Sequence, residues 1–344
     1  MAKAAVIGGS GYTGAELLRI LTRHTEIEVV QVTASTNAGA RVSDLYPGLG
    51  PAYGDVRFDS VDGDLSEGLD LAFVALPHGE SQRQMPRLVE QVDHVIDIGA
   101  DFRLPSTSYR RWYGAEHEAP ELIGAFAYGL PELFRGEIRT FRHVANPGCY
   151  PTAAILALAP AVARGLAEPV GLVVDAISGV SGRGRGLSTE SLFTEANEGV
   201  SAYGLLDHRH TAEMEMALSA VAGQAAQVLF TPHLAPMTRG ILATCYARPA
   251  GDGLSQAKLF EAYRDFYAGE PFVHVTTEPV STRATAGANA VFVTPRFDPR
   301  TETIIVVAAE DNLVKGASGQ AVQNANILLG LPETAGLETV GLVP

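Results

Sequence analysis

Over the first 150 positions, apolar residues fall in short unbroken runs and do not alternate with polar ones. Ala4-Ala5-Val6-Ile7, Leu71-Ala72-Phe73-Val74-Ala75-Leu76 and Val95-Ile96 are such runs, and residues 28–33 carry a fourth. A strand that is apolar on both sides is covered on both faces, as in a parallel sheet flanked by helices. Between the first two strands, Leu17, Leu18, Ile20 and Leu21 recur at helical spacing. Strand, helix and strand in repetition predict a doubly wound parallel sheet. A last short strand over 142–145 ends in the turn residues Pro147 and Gly148, and the run Ala153-Ala154-Ile155-Leu156-Ala157-Leu158-Ala159 predicts a helix from Thr152 to about Leu166.

Beyond that helix the texture changes. Residues 171–176, 227–230, 240–247, 290–293 and 303–307 read as strands with fewer helices between them, which predicts a mixed or antiparallel sheet in an α+β domain. The 344 residues suit about two domains. The expected fold class is α/β: a doubly wound, Rossmann-type dinucleotide-binding domain over 1–148 and a second, catalytic domain over 149–312. A final helix over 313–330 is expected to pack back on the first.

The first strand runs into Gly8-Gly9-Ser10-Gly11-Tyr12-Thr13-Gly14 and then a helix. Glycines at 8, 11 and 14 form a variant of the dinucleotide fingerprint: they permit a tight turn and the approach of a pyrophosphate to a helix N-terminus. Gly8, Ser10, Gly11, Tyr12, Thr13 and Gly14 are therefore expected to hold a cofactor. The second strand ends in Thr33-Ala34-Ser35-Thr36-Asn37, with Arg41 following and no acid for a ribose 2′-hydroxyl. Ser35, Thr36 and Arg41 suit a 2′-phosphate, so the cofactor is expected to be NADP. Pro77 and His78 follow a strand on the side where open α/β sheets bind ligands, with helix capping as the other role for His78. Arg103 follows the next strand, as an anion clamp or a partner for Asp101.

Cys149 stands before a predicted helix, where the dipole favours a thiolate. Asp207-His208-Arg209-His210-Thr211-Ala212-Glu213 is a second dense cluster, with Thr211 the expected N-cap of a helix through Met214 and Leu218. A histidine beside a thiol can take its proton and a carboxylate can orient that histidine; His208 is the expected base and His210 its rival. Ser178-Gly179-Val180-Ser181-Gly182-Arg183-Gly184-Arg185 has the glycines, hydroxyls and arginine forks of an anion-binding loop. Cys245, amid an apolar strand, reads as core.

Composition narrows the classes. Thirty-nine acids against 25 bases give a net charge of −14, with no basic run, which excludes a nucleic-acid binder. No apolar run approaches the roughly 20 residues of a membrane span. Two cysteines make no disulfide framework, and a cytoplasmic, reducing setting is expected. No metal is expected.

The glycine turn, Asn146-Pro147-Gly148-Cys149-Tyr150-Pro151-Thr152, Ser178-Gly179-Val180-Ser181-Gly182, His208-Arg209-His210-Thr211-Ala212-Glu213 and Lys315-Gly316-Ala317-Ser318-Gly319-Gln320 together resemble the N-acetyl-γ-glutamyl-phosphate reductase family, in order and spacing from near the start to near the end. The departure is Ala212, where many relatives carry proline. The resemblance implies a glyceraldehyde-phosphate-dehydrogenase-like second domain, NADPH-dependent reduction of a small-molecule acyl phosphate through a cysteine thioester in arginine synthesis, and a homo-oligomer, dimer or tetramer. It implies Cys149 as nucleophile and Glu213 as support for the histidine. It adds Ser178, Gly179, Asn312 and Gly316 to the cofactor set, and Asn146, Ser181, Gly182, Arg185 and Arg209 to the substrate set with Arg103. Rival readings are a carrier-linked aminoadipyl-phosphate reductase of lysine synthesis, an aspartate-semialdehyde dehydrogenase, and a non-catalytic NADP-binding regulator.

Overall fold

The structure is a computed structural model that describes residues 1–343. The chain forms two compact units. The first comprises Met1–Pro147 and Ala317–Leu337; the second comprises Gly148–Gly316 and residues from Glu338 on.

The first unit is built on a seven-stranded sheet. Its strands are β1 (Ala2–Ile7), β2 (Ile27–Ala34), β3 (Asp59–Ser60), β4 (Leu71–Val74), β5 (His94–Asp97), β6 (Phe126–Tyr128) and β7 (His143–Ala145), in the order β3-β2-β1-β4-β5-β7-β6. Every pairing is parallel. The order reverses direction at β1, and β1 and β4 are buried along their apolar runs, as strands covered on both faces must be. The helix Tyr12–Leu21 turns Leu17, Leu18, Ile20 and Leu21 into the core and ends with Arg19 in its last turn, where the dipole favours a cation. The C-terminal helix Gly319–Leu328 completes this unit. Asn324 Nδ2 donates to Gly129 O at 2.9 Å, and Asn326 Oδ1 meets His24 Nε2 at 2.9 Å.

The second unit carries a mixed sheet. Its strands are β8 (Leu172–Gly179), β9 (Ser201–Ala202), β10 (Val228–Ala235), β11 (Ile241–Ala247), β12 (Val273–Val275), β13 (Val291–Asp298) and β14 (Thr303–Glu310), in the order β12-β13-β14-β11-β8-β10-β9. β8–β10 and β12–β13 are parallel and the remaining pairs antiparallel. β8 and β11 alternate buried and half-buried residues, so one face is packed and the other partly open.

The packed face lies under the helix Cys149–Ala163, whose residues from Tyr150 to Val162 are all buried. Pro160 supplies no N–H for the Leu156 carbonyl one turn back. The Tyr267 hydroxyl donates to Leu156 O at 2.5 Å, and Tyr263 donates to Ala157 O at 2.7 Å. Tyr267 thus replaces the helical bond that proline removes, Tyr263 adds a second bond one residue on, and together they pin the helix whose first residue is Cys149.

Candidate active site

Cys149 opens its helix, with Gly148 as N-cap and no capping side chain. It is half-buried, whereas Cys245 lies fully buried on β11. Burial pushes the Cys245 thiol up, which disfavours its thiolate, whereas Cys149 stays partly exposed at a helix start.

Two side chains, Glu213 and His210, converge on the peptide that precedes this sulfur. Gly148 N donates to Glu213 Oε2 at 3.0 Å. Glu213 Oε1 lies 4.0 Å from His210 Nε2. A Cβ at Gly148 would fall 2.6 Å from His210 Nε2, so the imidazole rests against the glycine and no side chain fits there. Glu213 is fully buried in the first turn of the helix His210–Ala222, where an acid is favoured.

That helix departs from expectation at its start. Arg209 is its N-cap and His210 its first residue, so it begins two positions before the expected Thr211 cap, and Thr211 instead lies buried inside the first turn. The reason is a competing cap. His208 Nδ1 accepts the His210 N–H at 3.2 Å, and His208 O accepts the Thr211 N–H at 3.0 Å. The His208 ring sits among Tyr150, Tyr203 and Phe230, with centroids 5.8, 5.4 and 5.2 Å away and all edge to face. Burial, followed by the nearby Arg209 charge, pushes His208 down to about 4, so it is neutral. Tyr150 and Tyr203 share a 3.3 Å contact between hydroxyls, and Tyr150 donates to His233 O at 2.9 Å. Neither tyrosine stood out in the sequence, although Tyr150 follows the thiol directly.

The loop after β8 is drawn together by Asn312. Its Nδ2 donates to Ser181 Oγ at 3.0 Å and its Oδ1 accepts the Gly240 N–H at 2.7 Å. Ser178 Oγ would stand 3.0 Å from a Cβ at Gly182, and Gly179 fits closely against residues 237–239. Ser178, Gly179, Ser181, Gly182 and Asn312 therefore form one cluster. Arg185 and Arg209 are exposed. Arg183, which sequence reasoning passed over in favour of Arg185, lies over the Tyr203 ring at 4.9 Å. A π-helical turn, Val314–Ser318, brings Gly316 against Cys149: a Cβ there would meet Cys149 Cβ at 2.9 Å and the buried Glu310 Oε1 at 2.8 Å. Such turns recur at functional sites.

In the first unit the glycine turn has the shape of a phosphate cradle. A Cβ at Gly14 would collide with Gly8 O and Gly9 Cα, each at 2.6 Å, so the helix crosses directly on the turn. At Gly11, the helix N-cap, a Cβ would come no closer than 3.8 Å to Gly8 O, and no side chain caps the helix. The helix start is left open for an anion, with Ser10, Tyr12 and Thr13 around it. Thr33 Oγ1, buried at the end of β2, has no hydrogen-bond partner among the described residues. Ser35, Thr36 and Arg41 are exposed just beyond it. β3 delivers an acid that sequence reasoning did not see, Asp59, whose carboxylate accepts from Gln31 Nε2 at 3.0 Å.

Asp101 organises the loop after β4. It accepts from the His78 ring at 2.7 Å, from Gly79 N at 2.9 Å and from Ser81 Oγ at 2.8 Å. Burial raises the Asp101 carboxyl, but these bonds outweigh it and hold it below the ordinary range. His78, beside Pro77, therefore braces this loop while staying partly exposed. Arg103 Nη2 donates to Ile98 O at 2.8 Å. Asn146 is buried, with Nδ2 donating to Ala317 O at 3.2 Å and Oδ1 accepting from Asn324 at 3.0 Å. Arg103 and Asn146 belong to the first unit; Cys149, His208, His210 and Glu213 belong to the second. Among the described residues no cluster of His, Cys, Asp and Glu is arranged to hold a metal.

Known proteins are similar to this chain along its whole length. Residues 3–141 match the family model of the semialdehyde dehydrogenase NAD binding domain, and residues 149–312 that of the semialdehyde dehydrogenase dimerisation domain. The N-acetyl-gamma-glutamyl-phosphate reductase of Heliobacterium modesticaldum is 46% identical over 352 residues, covering 100% of each chain. That of Desulforudis audaxviator is 47% identical over 348 residues, again covering 100% of each. The chain belongs to the N-acetyl-gamma-glutamyl-phosphate reductase family. Its first unit is thus a nicotinamide-cofactor domain. In fold it is similar to aspartate semialdehyde dehydrogenase II from Vibrio cholerae, with TM-score 0.73 and 17% identity over 96% of this chain and 98% of that one. It is also similar to the Candida albicans aspartate semialdehyde dehydrogenase with NADP, with TM-score 0.68 and 16% identity over 96% and 99%.

Proposed function

We propose that the protein reduces N-acetyl-γ-glutamyl phosphate to N-acetylglutamate semialdehyde and phosphate in arginine synthesis, with NADPH as reductant. The observation that carries this reading is the Gly148–Glu213–His210 arrangement behind Cys149, in a chain whose full-length relatives bear that enzyme's name.

His210 takes the thiol proton, and Glu213 steadies the resulting imidazolium. The thiolate attacks the acyl carbon, the carbon–oxygen bond to phosphorus breaks, and phosphate leaves with the electron pair. When bound, the nicotinamide supplies the hydride that converts the thioester to a thiohemiacetal. His210 gives its proton to the developing oxyanion, then takes it back as the carbon–sulfur bond breaks and the aldehyde forms. His210 is preferred to His208 because its ring abuts Gly148, whereas His208 is held neutral in an aromatic cage.

The Gly8–Gly14 turn holds the pyrophosphate. Ser35, Thr36 and Arg41 favour a 2′-phosphate, since the neighbouring Asp59 is engaged by Gln31. The exposed Arg185 and Arg209, together with Arg103, are the anion-binding candidates. A second copy of the chain covers the open face of the mixed sheet, where Phe292, Leu242 and Ile177 form one cross-strand row and Ile305, Tyr246, Val173 and Leu229 another. This fits the dimerisation domain that residues 149–312 match. No described helix is long and apolar enough to cross a membrane, and a cytoplasmic setting is inferred from the biosynthetic role.

The deciding assay follows NADP reduction with N-acetylglutamate semialdehyde or aspartate semialdehyde, each with and without phosphate. Phosphate-dependent turnover of the first alone is expected. Turnover of aspartate semialdehyde alone would overturn the substrate assignment.

A further inference from the structure

We infer that His208 is a positioning residue that sets the catalytic orientation of His210 through a backbone hydrogen bond and an edge-to-face contact between the two rings at 4.8 Å, and that it transfers no proton in the reaction. The inference rests on the reading of His210 as the acid/base.

The His210 N–H is a fixed donor, so His208 Nδ1, 3.2 Å away, must be the acceptor and its proton must sit on Nε2. Protonating Nδ1 would turn that acceptor into a donor facing a donor, and the bond would be lost. Three aromatic rings enclose the imidazole, and Gly204 closes a fourth side: a Cβ there would stand 3.1 Å from His208 Cδ2. The ring therefore has little freedom to turn toward another partner. His210 is the first residue of its helix, and no side chain of the N-cap residue Arg209 holds that start. The imidazole two residues back performs the fixing. Tyr150, the neighbour of the nucleophile, touches both rings, with centroids 5.8 Å from His208 and 6.0 Å from His210. The His-x-His spacing is then explained by division of labour: the first ring aims the backbone of the second.

The test compares H208N, H208L and H210N in the full-length protein. Asparagine places Oδ1 near the position of Nδ1 and can accept the same N–H; leucine fills space and cannot. Three readouts are taken: kcat and KM for phosphate-dependent semialdehyde oxidation, the pH profile of kcat, and the iodoacetamide alkylation rate of Cys149. H208L is expected to lose roughly tenfold to a hundredfold in kcat, as a misplaced base does, with KM within about threefold. H208N is expected to recover most of that loss and keep the acid limb of the profile. H210N should lose at least about a hundredfold and the acid limb with it. H208N falling as far as H210N, with loss of the same limb, would make His208 a proton carrier and overturn the inference. H208L keeping wild-type kcat would overturn it as well. H210N retaining kcat would sink the His210 reading itself, a distinct outcome. Should H208L not fold, H208Q, whose acceptor lies one methylene further out, takes its place.

Discussion

One carboxylate serves two neighbours of Cys149: Glu213 accepts the Gly148 N–H at 3.0 Å through one oxygen, and its other oxygen stands 4.0 Å from His210 Nε2. The backbone before Cys149 and the imidazole beside it are thereby referred to the same fully buried group. A neutral amide at this position can still accept the Gly148 N–H but cannot steady an imidazolium. Glu213→Gln should fold and lose kcat by about tenfold or more, in line with impaired acid–base work. Glu213→Ala should in addition lose stability, by roughly 1–3 kcal/mol for the buried N–H left unpaired. Urea unfolding beside steady-state kinetics separates the two; equal stability of Gln and Ala variants would refute the bridging role.

The two thiols should behave as different chemical species. Native protein is expected to take up one equivalent of iodoacetamide, at Cys149, with activity lost in step. Cys149→Ala should abolish phosphate-dependent turnover with little change in melting temperature. Cys245→Ser should keep turnover and lose roughly 1–3 kcal/mol, because it buries a hydroxyl in an apolar strand. Mass spectrometry of the labelled protein reads the first expectation directly, and label on Cys245 in folded protein would contradict it.

Gly316 tests how finely the sulfur is placed. A methyl group there would stand 2.9 Å from Cys149 Cβ and 2.8 Å from Glu310 Oε1, closer than such atoms approach. Gly316→Ala should therefore displace the nucleophile, lowering kcat by roughly tenfold to a hundredfold, with a far smaller effect on nucleotide affinity. A variant with normal kcat would show that the π turn has slack.

Stability should peak at intermediate pH. His143 and His208 are pushed to about 4, chiefly by burial, against 6.5 when free. The unfolded chain binds more protons between those values, so their contribution is complete above 6.5 and is lost as pH falls toward 4. Asp97 works in the opposite sense. Burial first and the Asp101 charge second push it to about 7 from 3.8. The folded state keeps a proton that the unfolded chain has released, so this contribution is complete below 3.8 and is lost as pH rises through about 7. Melting temperature against pH should show both slopes, and Asp97→Asn should flatten the alkaline one. An unchanged slope in that variant would exclude Asp97 as its source.

The parallel sheet was readable because unbroken apolar runs separated by helical periods have few other solutions; β1, β2, β4 and β5 fall on those runs. The mixed sheet was readable only as a texture, since the pairing of distant strands such as β8 with β10 leaves no local mark. Cys149 was visible because its helix start is written in adjacent residues. The His210 helix begins two positions before the expected Thr211 cap, with Arg209 as N-cap, because the His208 ring accepts the His210 N–H that opens it. Tyr203 and Asp59 escaped notice for a common reason: they meet Tyr150 and Gln31, far along the chain, and nothing beside them in sequence announces the contact.

The division of the chain into units also bears on how the protein is made. The first unit begins at Met1 but recruits Ala317–Leu337, and its Asn324 and Asn326 bond to Gly129 and His24. A nascent chain that has emerged only as far as Pro147 therefore holds an unfinished nucleotide domain, although domains ordinarily fold in the order in which they are synthesised. The second unit, in turn, closes with residues from Glu338 on, where Glu338 O accepts the Asn289 N–H at 2.7 Å. Both units thus reach completion only after residues beyond 316 have emerged. Translation stalled before Ala317 leaves the first unit without its buried C-terminal helix, whereas residues 338–343, which the second unit then lacks, contribute no buried side chain.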